Sequence, residues 1–398
     1  MAHPRLIPGL LDESDWDVVD AWLEEGWGSR DFSDNEWNSD FGDDDCCGEE
    51  EVPIPLTQRT AIGGCAAKWR PGEFASITQG IAPAFSQEAL QGFAEGDDCI
   101  IMHINDEQAA VFTLDWLPAI VDNPYEFGAI SAAAALGKLY ASGVKPITAL
   151  NIMALPCKLG VDEVGDVMRG GSDKVIEAGA FVVGGHSIDD GDPKYGLAVF
   201  GIAPANQIIR NEHVVAGDVL LYTKPLGSGI MNEAFKSGLE TEETLRPVID
   251  SMMELNKAAA EAMSELRVHG AVCVSAFGLV GHLHALLESC GASATLDWEQ
   301  IPLFDRVWLH CCNGVRPERT ASTVEWAKQF VDQGAADDET YGNRMAVLCD
   351  AQTSGGVLIA VHADEVEAYC AAFKDACGRA PARIGVVTEG SVGAIRLL

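Results

Sequence analysis

Basic residues and long apolar runs are both scarce in this chain. Of 398 residues, 26 are Lys or Arg and 61 are Asp or Glu, which gives a formal net charge of −35. This balance argues against binding to nucleic acid or to an anionic membrane surface. An anionic substrate stays compatible with it, because a local cluster of cations or a metal ion can reverse the field at one site. No apolar run reaches the roughly 18 residues of a membrane span, so we expect no membrane-spanning helix.

Paired cysteine motifs and targeting signals are also missing. The twelve cysteines include no CxxC pair, which argues against a zinc ribbon or a thioredoxin-type motif. The first residues run quickly into acidic sequence, unlike a secretory signal or an Arg-rich transit peptide. A disulfide framework is not expected in a long chain without such a signal. We therefore predict a cytoplasmic protein whose thiols mostly belong to the core.

The two best-known phosphate-binding loops are absent as well, since the chain has neither GxxxxGK[ST] nor a complete GxGxxG. Three shorter glycine-rich segments follow predicted strands, and we interpret each as a turn. They are Gly184-Gly185-His186-Ser187, Gly227-Ser228-Gly229 and Ser354-Gly355-Gly356. Their unobstructed N–H groups would let a phosphate approach closely. Each one alone is better explained as an ordinary turn, but three in one chain make a phosphate-rich ligand more plausible.

The first 51 residues differ in composition from the rest. They hold 17 Asp or Glu against two Arg, a net −15, with four tryptophans spread among the acids. Alternation of acidic and large apolar groups is typical of interaction segments without fixed structure. A solvated tail with no partner explains the composition equally well, and a short helix over Glu13–Glu25 fits the apolar spacing. We assign residues 1–55 to an acidic segment that is either flexible or bound to an unknown partner.

Strands alternate with helices through the rest of the chain, which is typical of an α/β or α+β protein. We predict two lobes, residues 56–212 and residues 213–398. The predicted strands are Cys99–Asn105, Gln108–Asp115, Ile147–Leu155, Tyr195–Ala203 and Asp218–Thr223, with another from Phe181 into the glycines at 184–185. The predicted helices are Glu126–Ser142, Asp162–Ala178, Leu245–Arg267 and Gly278–Cys290.

One loop of small residues, Gly63–Lys68, carries both a thiol and an ammonium group. Cys65 and Lys68 are three residues apart, and the glycines allow backbone conformations that other residues avoid. A nearby lysine favours the thiolate, which is the nucleophilic form of cysteine. The alternative is a turn that holds a small buried cysteine, since cysteine is among the most buried residue types.

Two carboxylates fall at predicted strand ends. Asp98 precedes the first strand of the predicted hairpin and Asp115 closes the second, so the hairpin would bring them to the same end of the sheet. Paired carboxylate oxygens suit a Mg²⁺ ion that bridges protein and phosphates. Aspartate is also common at strand ends for capping and turn formation, and this explanation stays open.

Taken together and in this order, six segments make the chain similar to the selenophosphate synthetase family, also called selenide, water dikinase. The resemblance runs from about Leu56 to the C-terminus and leaves out the acidic segment. The matching segments are Gly64–Lys68, Ile120–Gly128, Gly184–Asp189, Thr223–Gly227, Phe277–His282 and Cys349–Gly356.

The resemblance implies a fold and a reaction. The fold is two-lobed and like that of aminoimidazole ribonucleotide synthetase, with an N-terminal lobe whose strands form a β-barrel across a homodimer and a C-terminal α/β lobe. The reaction converts ATP, selenide and water into selenophosphate, AMP and phosphate, with Mg²⁺ and usually K⁺. By the same resemblance, Cys65 and Lys68 are catalytic, Asp98 and Asp115 hold Mg²⁺, and residues 184–187 lie against the nucleotide phosphates.

The sequence departs from the family where the chemistry takes place. Lys138 stands where the family has a metal-binding aspartate, and Cys273 replaces a second one. Ala134 replaces an asparagine of the family on the helix near the ATP site, and Ala129 replaces the family's arginine after the Phe127-Gly128 pair. Two interpretations follow. In one, Lys138 takes over part of a metal's charge on the polyphosphate and the enzyme is active. In the other, the protein is a degenerate paralogue that binds nucleotide or serves as a structural subunit.

Overall fold

The computed structural model describes residues 54–69, 89–91, 99–264 and 266–398. The acidic segment to residue 53, with the helix expected at Glu13–Glu25, lies outside these residues, and so does Asp98. Contacts group Pro53–Leu398 into one unit.

The first sheet has six strands from the N-terminal half. They are Ala89–Gln91 (β1), Ile100–His103 (β2), Gln108–Pro118 (β3), Pro146–Leu155 (β4), Phe181–Asp189 (β5) and Lys194–Pro204 (β6). Their spatial order is β1-β2-β3-β6-β4-β5, and all neighbours are antiparallel except β4 and β5. The predicted hairpin is confirmed, because Ile100 of β2 pairs with Phe112 of β3.

Two helices, Pro124–Ala141 (α1) and Val161–Glu177 (α2), pack against each other and α1 also packs on this sheet. Asn123 starts α1, since its side chain accepts a hydrogen bond from the Glu126 N–H at 3.0 Å. The helices meet at their backbones: a Cβ atom on Gly128 would lie 1.9 Å from the Val167 carbonyl oxygen. Glycine is therefore required at this crossing.

The second sheet is built from the C-terminal half. Its strands are Val219–Tyr222 (β7), Val268–Cys273 (β8), Ser293–Leu296 (β9), Val331–Asp332 (β10), Val357–Val361 (β11), Ala382–Thr388 (β12) and Ile395–Leu397 (β13). Their order is β10-β13-β9-β12-β7-β11-β8. The helices of this half are Ser228–Lys236 (α3), Glu242–Met253 (α4), Lys257–Met263 (α5), Gly278–Cys290 (α6), Val307–Cys312 (α7), Thr320–Ala327 (α8), Asp338–Leu348 (α9) and Val366–Cys377 (α10). Short 3₁₀ turns lie at Leu56–Gln58, Gly64–Ala67, Ala205–Gln207, Asn211–His213, Trp298–Gln300 and Ala363–Glu365.

Helix α1 lies between the two halves. It contacts β3 and β6 of the first sheet, and α4, α5 and β8 of the second half. Residues from Phe127 to Ala141 are buried without interruption, which explains why the helix is rich in alanine rather than amphipathic. Arg246 of α4 donates to Glu126 of α1 at 2.6 Å. Side chains on α1 are therefore held at the junction of the two halves.

The single long helix predicted at Leu245–Arg267 is wrong. The chain forms α4 and α5 there, with Glu254 in an extended conformation between them. Lys224 donates to the carbonyl oxygens of Ser251 and Glu254, at 2.8 and 2.7 Å. These carbonyls at the end of α4 are thus satisfied by a side chain distant in sequence, which the local pattern could not reveal.

The turn predicted at Gly184–Ser187 is also wrong, because these residues lie inside strand β5. Gly184 has φ +144°, and the pairing of β4 with β5 shifts register between Ala149 and Asn151. A Cβ atom on Gly185 would lie 2.3 Å from the Asn151 carbonyl oxygen. Here glycine permits a bulged pairing with close backbone approach, instead of ending the strand.

One face of the first sheet is apolar and exposed. Ile100 and Met102 of β2 lie on it with Phe112, Leu114 and Trp116 of β3. The alternate residues of β3 point to the buried side. Among the described residues, no helix has the length and apolar character needed to cross a membrane.

Candidate active site

The loop with the thiol is a single 3₁₀ turn, Gly64–Ala67, between Gly63 and Lys68. Gly64 has φ +58°, and a Cβ atom there would lie 2.3 Å from Thr353 Oγ1. Both its backbone conformation and the lack of space require glycine. The small residues of the loop therefore allow it to pack closely on the second half of the protein.

Cys65 is enclosed by this packing, with 1% of its surface exposed. Its thiol belongs to a small apolar cluster with Leu117 of β3 and Ala134 of α1, against which Ala276 packs. Its backbone N–H donates to Thr353 Oγ1 at 3.0 Å. The thiol is thus covered while the loop holds this position.

Two lysines meet one buried carboxylate beside the loop. Lys68 Nζ lies 2.8 Å and Lys138 Nζ 3.2 Å from the same oxygen of Asp115, Oδ2. Asp115 and Lys138 are 4% and 6% exposed, while Lys68 is partly exposed. The ammonium groups and the carboxylate meet in a partly desolvated site, where charges interact more strongly than in water.

The structure brings together Cys65, Lys68, Asp115 and Lys138, and it puts the segment 184–187 elsewhere on the same sheet. Strand pairing sets Asp115, Leu197, Asn151 and Gly185 in one row across β3, β6, β4 and β5. Three strand spacings of about 4.8 Å separate the ends of this row, or about 14 Å. Within one chain, residues 184–187 therefore do not adjoin the lysine pair.

Cys273 ends strand β8 near this junction and is buried. Its Sγ lies 3.8 Å from Asn256 Nδ2 and 3.9 Å from the Gly355 carbonyl oxygen. A Cβ atom on Gly137, the neighbour of Lys138, would lie 3.2 Å from this sulfur. Lys138 and Cys273, which stand where the family has metal-binding aspartates, therefore lie at the same junction between the two halves.

Asp115, Lys138 and Cys273 by themselves do not supply the several anionic oxygens that a protein-bound Mg²⁺ ion prefers. Asp115 is already within ion-pair distance of two lysines, and a thiol is a soft ligand. Among the described ranges of the chain, no group of three or more His, Cys, Asp or Glu residues could hold a metal ion. The partner expected for Asp115, Asp98, lies outside these ranges.

The segment Cys349–Gly356 supports the loop from the second half. Lys224 is fully buried and donates to the Ser354 carbonyl oxygen at 2.9 Å, and burial lowers its pKa to about 8. Gln352 accepts from the N–H groups of Gly227 and Ser228 at the start of α3. The sequence singled out this segment because it resembles a family signature. Its contact with the loop, made by Thr353, is visible only in the folded structure.

A small cleft lies next to the loop. Two cationic side chains, Lys68 and Arg319, line it together with the aromatic rings of Trp69 and Phe277. The sequence contained no signal for Arg319, which lies 251 residues from Lys68 and reaches the site only through the fold.

The sequence matches two family descriptions in succession. Residues 96–203 match "AIR synthase related protein, N-terminal domain", and residues 215–397 match "AIR synthase related protein, C-terminal domain". Among solved structures, a thiamine-monophosphate kinase from Stenotrophomonas maltophilia superposes with a TM-score of 0.57 at 16% identity, covering 82% of this chain and 94% of that one. The hydrogenase maturation protein HypE in complex with ATP gives a TM-score of 0.56 at 17% identity, covering 76% and 84%. These likenesses confirm the predicted two-lobed fold.

Curated relatives are much more similar in sequence. Selenide, water dikinase of Pelobacter propionicus is 36% identical over 340 residues, which cover 85% of this chain and 97% of the relative. Selenide, water dikinase of Myxococcus xanthus is 37% identical over 342 residues, covering 85% and 96%. With nearly the whole of each relative matched, the chain belongs to the selenide, water dikinase family.

Proposed function

We propose that this protein synthesises selenophosphate from ATP, selenide and water and releases AMP and phosphate. The observation that carries the proposal is the placement of Cys65 and Lys68 in one turn beside Asp115 and Lys138. The names of the relatives support the reaction, and the ATP complex of a protein with the same fold supports the nucleotide.

Charge is the first requirement of this chemistry. ATP carries about four negative charges, and phosphoryl transfer is accelerated chiefly by groups that offset charge on the transferring phosphoryl. Lys68 and Lys138 supply two ammonium groups at one buried carboxylate. We assign both lysines to the polyphosphate, with Asp115 holding their ammonium groups in position.

The enclosure of Cys65 fits a second requirement. Water competes with selenide for the activated phosphoryl group, so the site must exclude bulk solvent during transfer. In the closed position the loop leaves 1% of Cys65 exposed. We assign its thiol to handling selenide or assisting its attack, which requires the loop to open for loading and to close for transfer.

The remaining assignments stay predictions. Residues 184–187 form the exposed edge of the first sheet, where glycine N–H groups suit another part of the nucleotide. Mg²⁺ is assigned only as the ion that accompanies ATP, and no step is assigned to a protein-bound metal. Asp98 with Asp115 as metal ligands, K⁺ as a further cation and a cytoplasmic location were expected from the sequence and stay predictions.

A homodimer is part of the proposal. The apolar face formed by β2 and β3 exposes several large side chains on one surface, which is uncommon on a monomer unless the surface is functional. The family resemblance implies a barrel made from two N-terminal lobes. We infer that a second copy of the chain covers this face.

The direct test measures AMP released from ATP with Mg²⁺ and selenide under reducing conditions. We expect release that depends on selenide and falls by at least a hundredfold in Cys65→Ala. Cys157→Ala is the matched control, since Cys157 is an exposed thiol outside the loop, and it should leave the rate unchanged.

The degenerate alternative predicts another outcome. No AMP from the wild-type protein, with release restored by Lys138→Asp together with Cys273→Asp, would refute the enzyme proposal. It would mean that the two replacements disabled the site and that the protein has a binding or structural role.

A further inference from the structure

We propose that Arg319 is a positioning residue that holds the Cys65 loop closed and so sets how often the thiol becomes accessible. The proposal rests on the proposed selenophosphate synthesis only for the role of the exposed Cys65 thiol in handling selenide. The contact itself, and the experiment that tests it, need neither ATP nor selenide.

The contact joins one guanidinium nitrogen to two backbone oxygens. Arg319 Nη1 donates to the Ala67 carbonyl oxygen at 3.0 Å and also to the Lys68 carbonyl oxygen. Both carbonyls lie at the C-terminal end of the 3₁₀ turn, where a short helix leaves its acceptors unsatisfied. A charged donor makes these bonds stronger than neutral ones.

Arg319 is itself firmly held. It immediately precedes helix α8, and its carbonyl oxygen accepts from Ser322 Oγ at 2.8 Å and from Thr323 Oγ1 at 3.4 Å. Thr320 and Thr323 are buried where α8 packs on its neighbours. The guanidinium therefore extends from a fixed point of the second half to the loop.

The loop is fastened at both ends of its turn. Thr353 Oγ1 accepts from the Cys65 N–H at the start, and Arg319 holds the two carbonyls at the end. Cys65 Sγ is enclosed between these attachments. An opening that exposes the thiol must break the Arg319 bonds, so losing them shifts the population toward the open loop.

Arg319 is the better of the two attachments to test. Thr353 also limits the space at Gly64, where a Cβ atom would lie 2.3 Å from its hydroxyl, so replacing it changes packing and bonding together. Arg319 is half-buried at the cleft and contacts the loop through its side-chain tip. Arg319→Met keeps the length of the aliphatic stem and removes the donors.

The experiment follows alkylation of each cysteine by iodoacetamide in the full-length protein, with peptide mass spectrometry. We expect the rate at Cys65 to rise about tenfold in Arg319→Met. Arg319→Lys keeps a charged donor with three N–H groups and should stay within about threefold of wild type. Arg316→Met is the matched control, because Arg316 donates to the Cys311 carbonyl oxygen and not to the loop, and it should leave the Cys65 rate unchanged.

Other thiols in the same samples separate a local effect from general loosening. Cys157 and Cys312 are exposed and should react at wild-type rates in both Arg319 variants, while Cys311 is buried away from the loop and should stay protected there. An unchanged Cys65 rate in Arg319→Met would overturn the proposal. So would an equal rise at Cys311, since the arginine would then support the fold rather than the loop.

Discussion

At the scale of single residues, Asp350 links the stability of the protein to pH. It is fully buried, and its Oδ2 accepts from the N–H groups of Gly229 and Ile230 at 3.0 and 3.2 Å, near the start of α3. No donor in the described part of the chain bonds to Oδ1. Burial raises the pKa of Asp350 to about 7. The folded protein therefore keeps a proton that the unfolded chain, with a pKa of about 4, releases.

The sign of the pH dependence follows from this difference. The stabilising contribution of protonated Asp350 is complete below about pH 4 and is lost as the pH rises through about 7. We expect Asp350→Asn, which cannot ionise, to gain about 3 kcal/mol of stability relative to wild type between pH 4.5 and 7.5, at about 1.4 kcal/mol per pH unit up to about pH 7. Urea unfolding of both proteins at pH 4.5 and 7.5 measures the change. A difference between the two proteins that is the same at both pH values would contradict the pKa shift.

Residue roles could be predicted here only where a motif carried them. Cys65 and Lys68 stand out because a loop of small residues presents both, and Lys138 stands out because it departs from the family pattern. The ion pair that Lys138 makes with Asp115 joins a helix to a strand and depends on how α1 packs. Arg319 had no local signal, because a lone arginine before a helix looks like ordinary surface.

At the scale of secondary-structure elements, the crossing of α1 and α2 decides where Lys138 lies. Gly128 of α1 meets the backbone of α2 at Val167, and Gly170 of α2 meets the backbone of α1 at Tyr125. A Cβ atom at either glycine would come within 2.0 Å of a carbonyl oxygen, so the helices can approach this closely only with glycine at both positions.

This crossing predicts opposite results for two similar substitutions. Gly128→Ala should destabilise the protein by about 3 kcal/mol or more, because neither helix can move without disturbing the sheet below. Gly165→Ala lies in α2 with no atom within 4 Å of the added Cβ, and it should stabilise by about 0.5–1 kcal/mol. Urea unfolding compares the two. Equal effects of both changes would show that the helix contact does not constrain the fold.

Most elements were predictable because their patterns are local. The helix at Gly278–Cys290 was predicted with its exact bounds, and the strands from Gln108 and Pro146 differ from prediction only at their ends. The failures have long-range causes. Lys224 ends α4 from a distant part of the sequence, and strand β5 continues through its glycines because β4 approaches closely there.

At the scale of the whole molecule, net charge opposes the proposed dimer while exposed apolar surface favours it. Each chain carries a formal net charge of −35, so two chains repel strongly at low ionic strength. The exposed face of β2 and β3 offers apolar area that a second copy can bury, at roughly 25 cal/mol per Å². The proposed dimer should therefore tighten as salt rises from about 20 to 200 mM, opposite to an interface held by ion pairs.

Leu114→Glu tests this assembly. Leu114 is 54% exposed at the middle of the apolar face, and a carboxylate there would be buried without a partner in a dimer. We expect light scattering to give twice the chain mass for wild type and one chain mass for the variant, and we expect the monomeric variant to keep a cooperative unfolding transition. Val161→Glu is the matched control, because Val161 is 89% exposed at the start of α2, away from this face, and it should leave the mass unchanged. A monomeric wild type across the salt range, or a Leu114→Glu variant that stays dimeric, would mean that this face has another role.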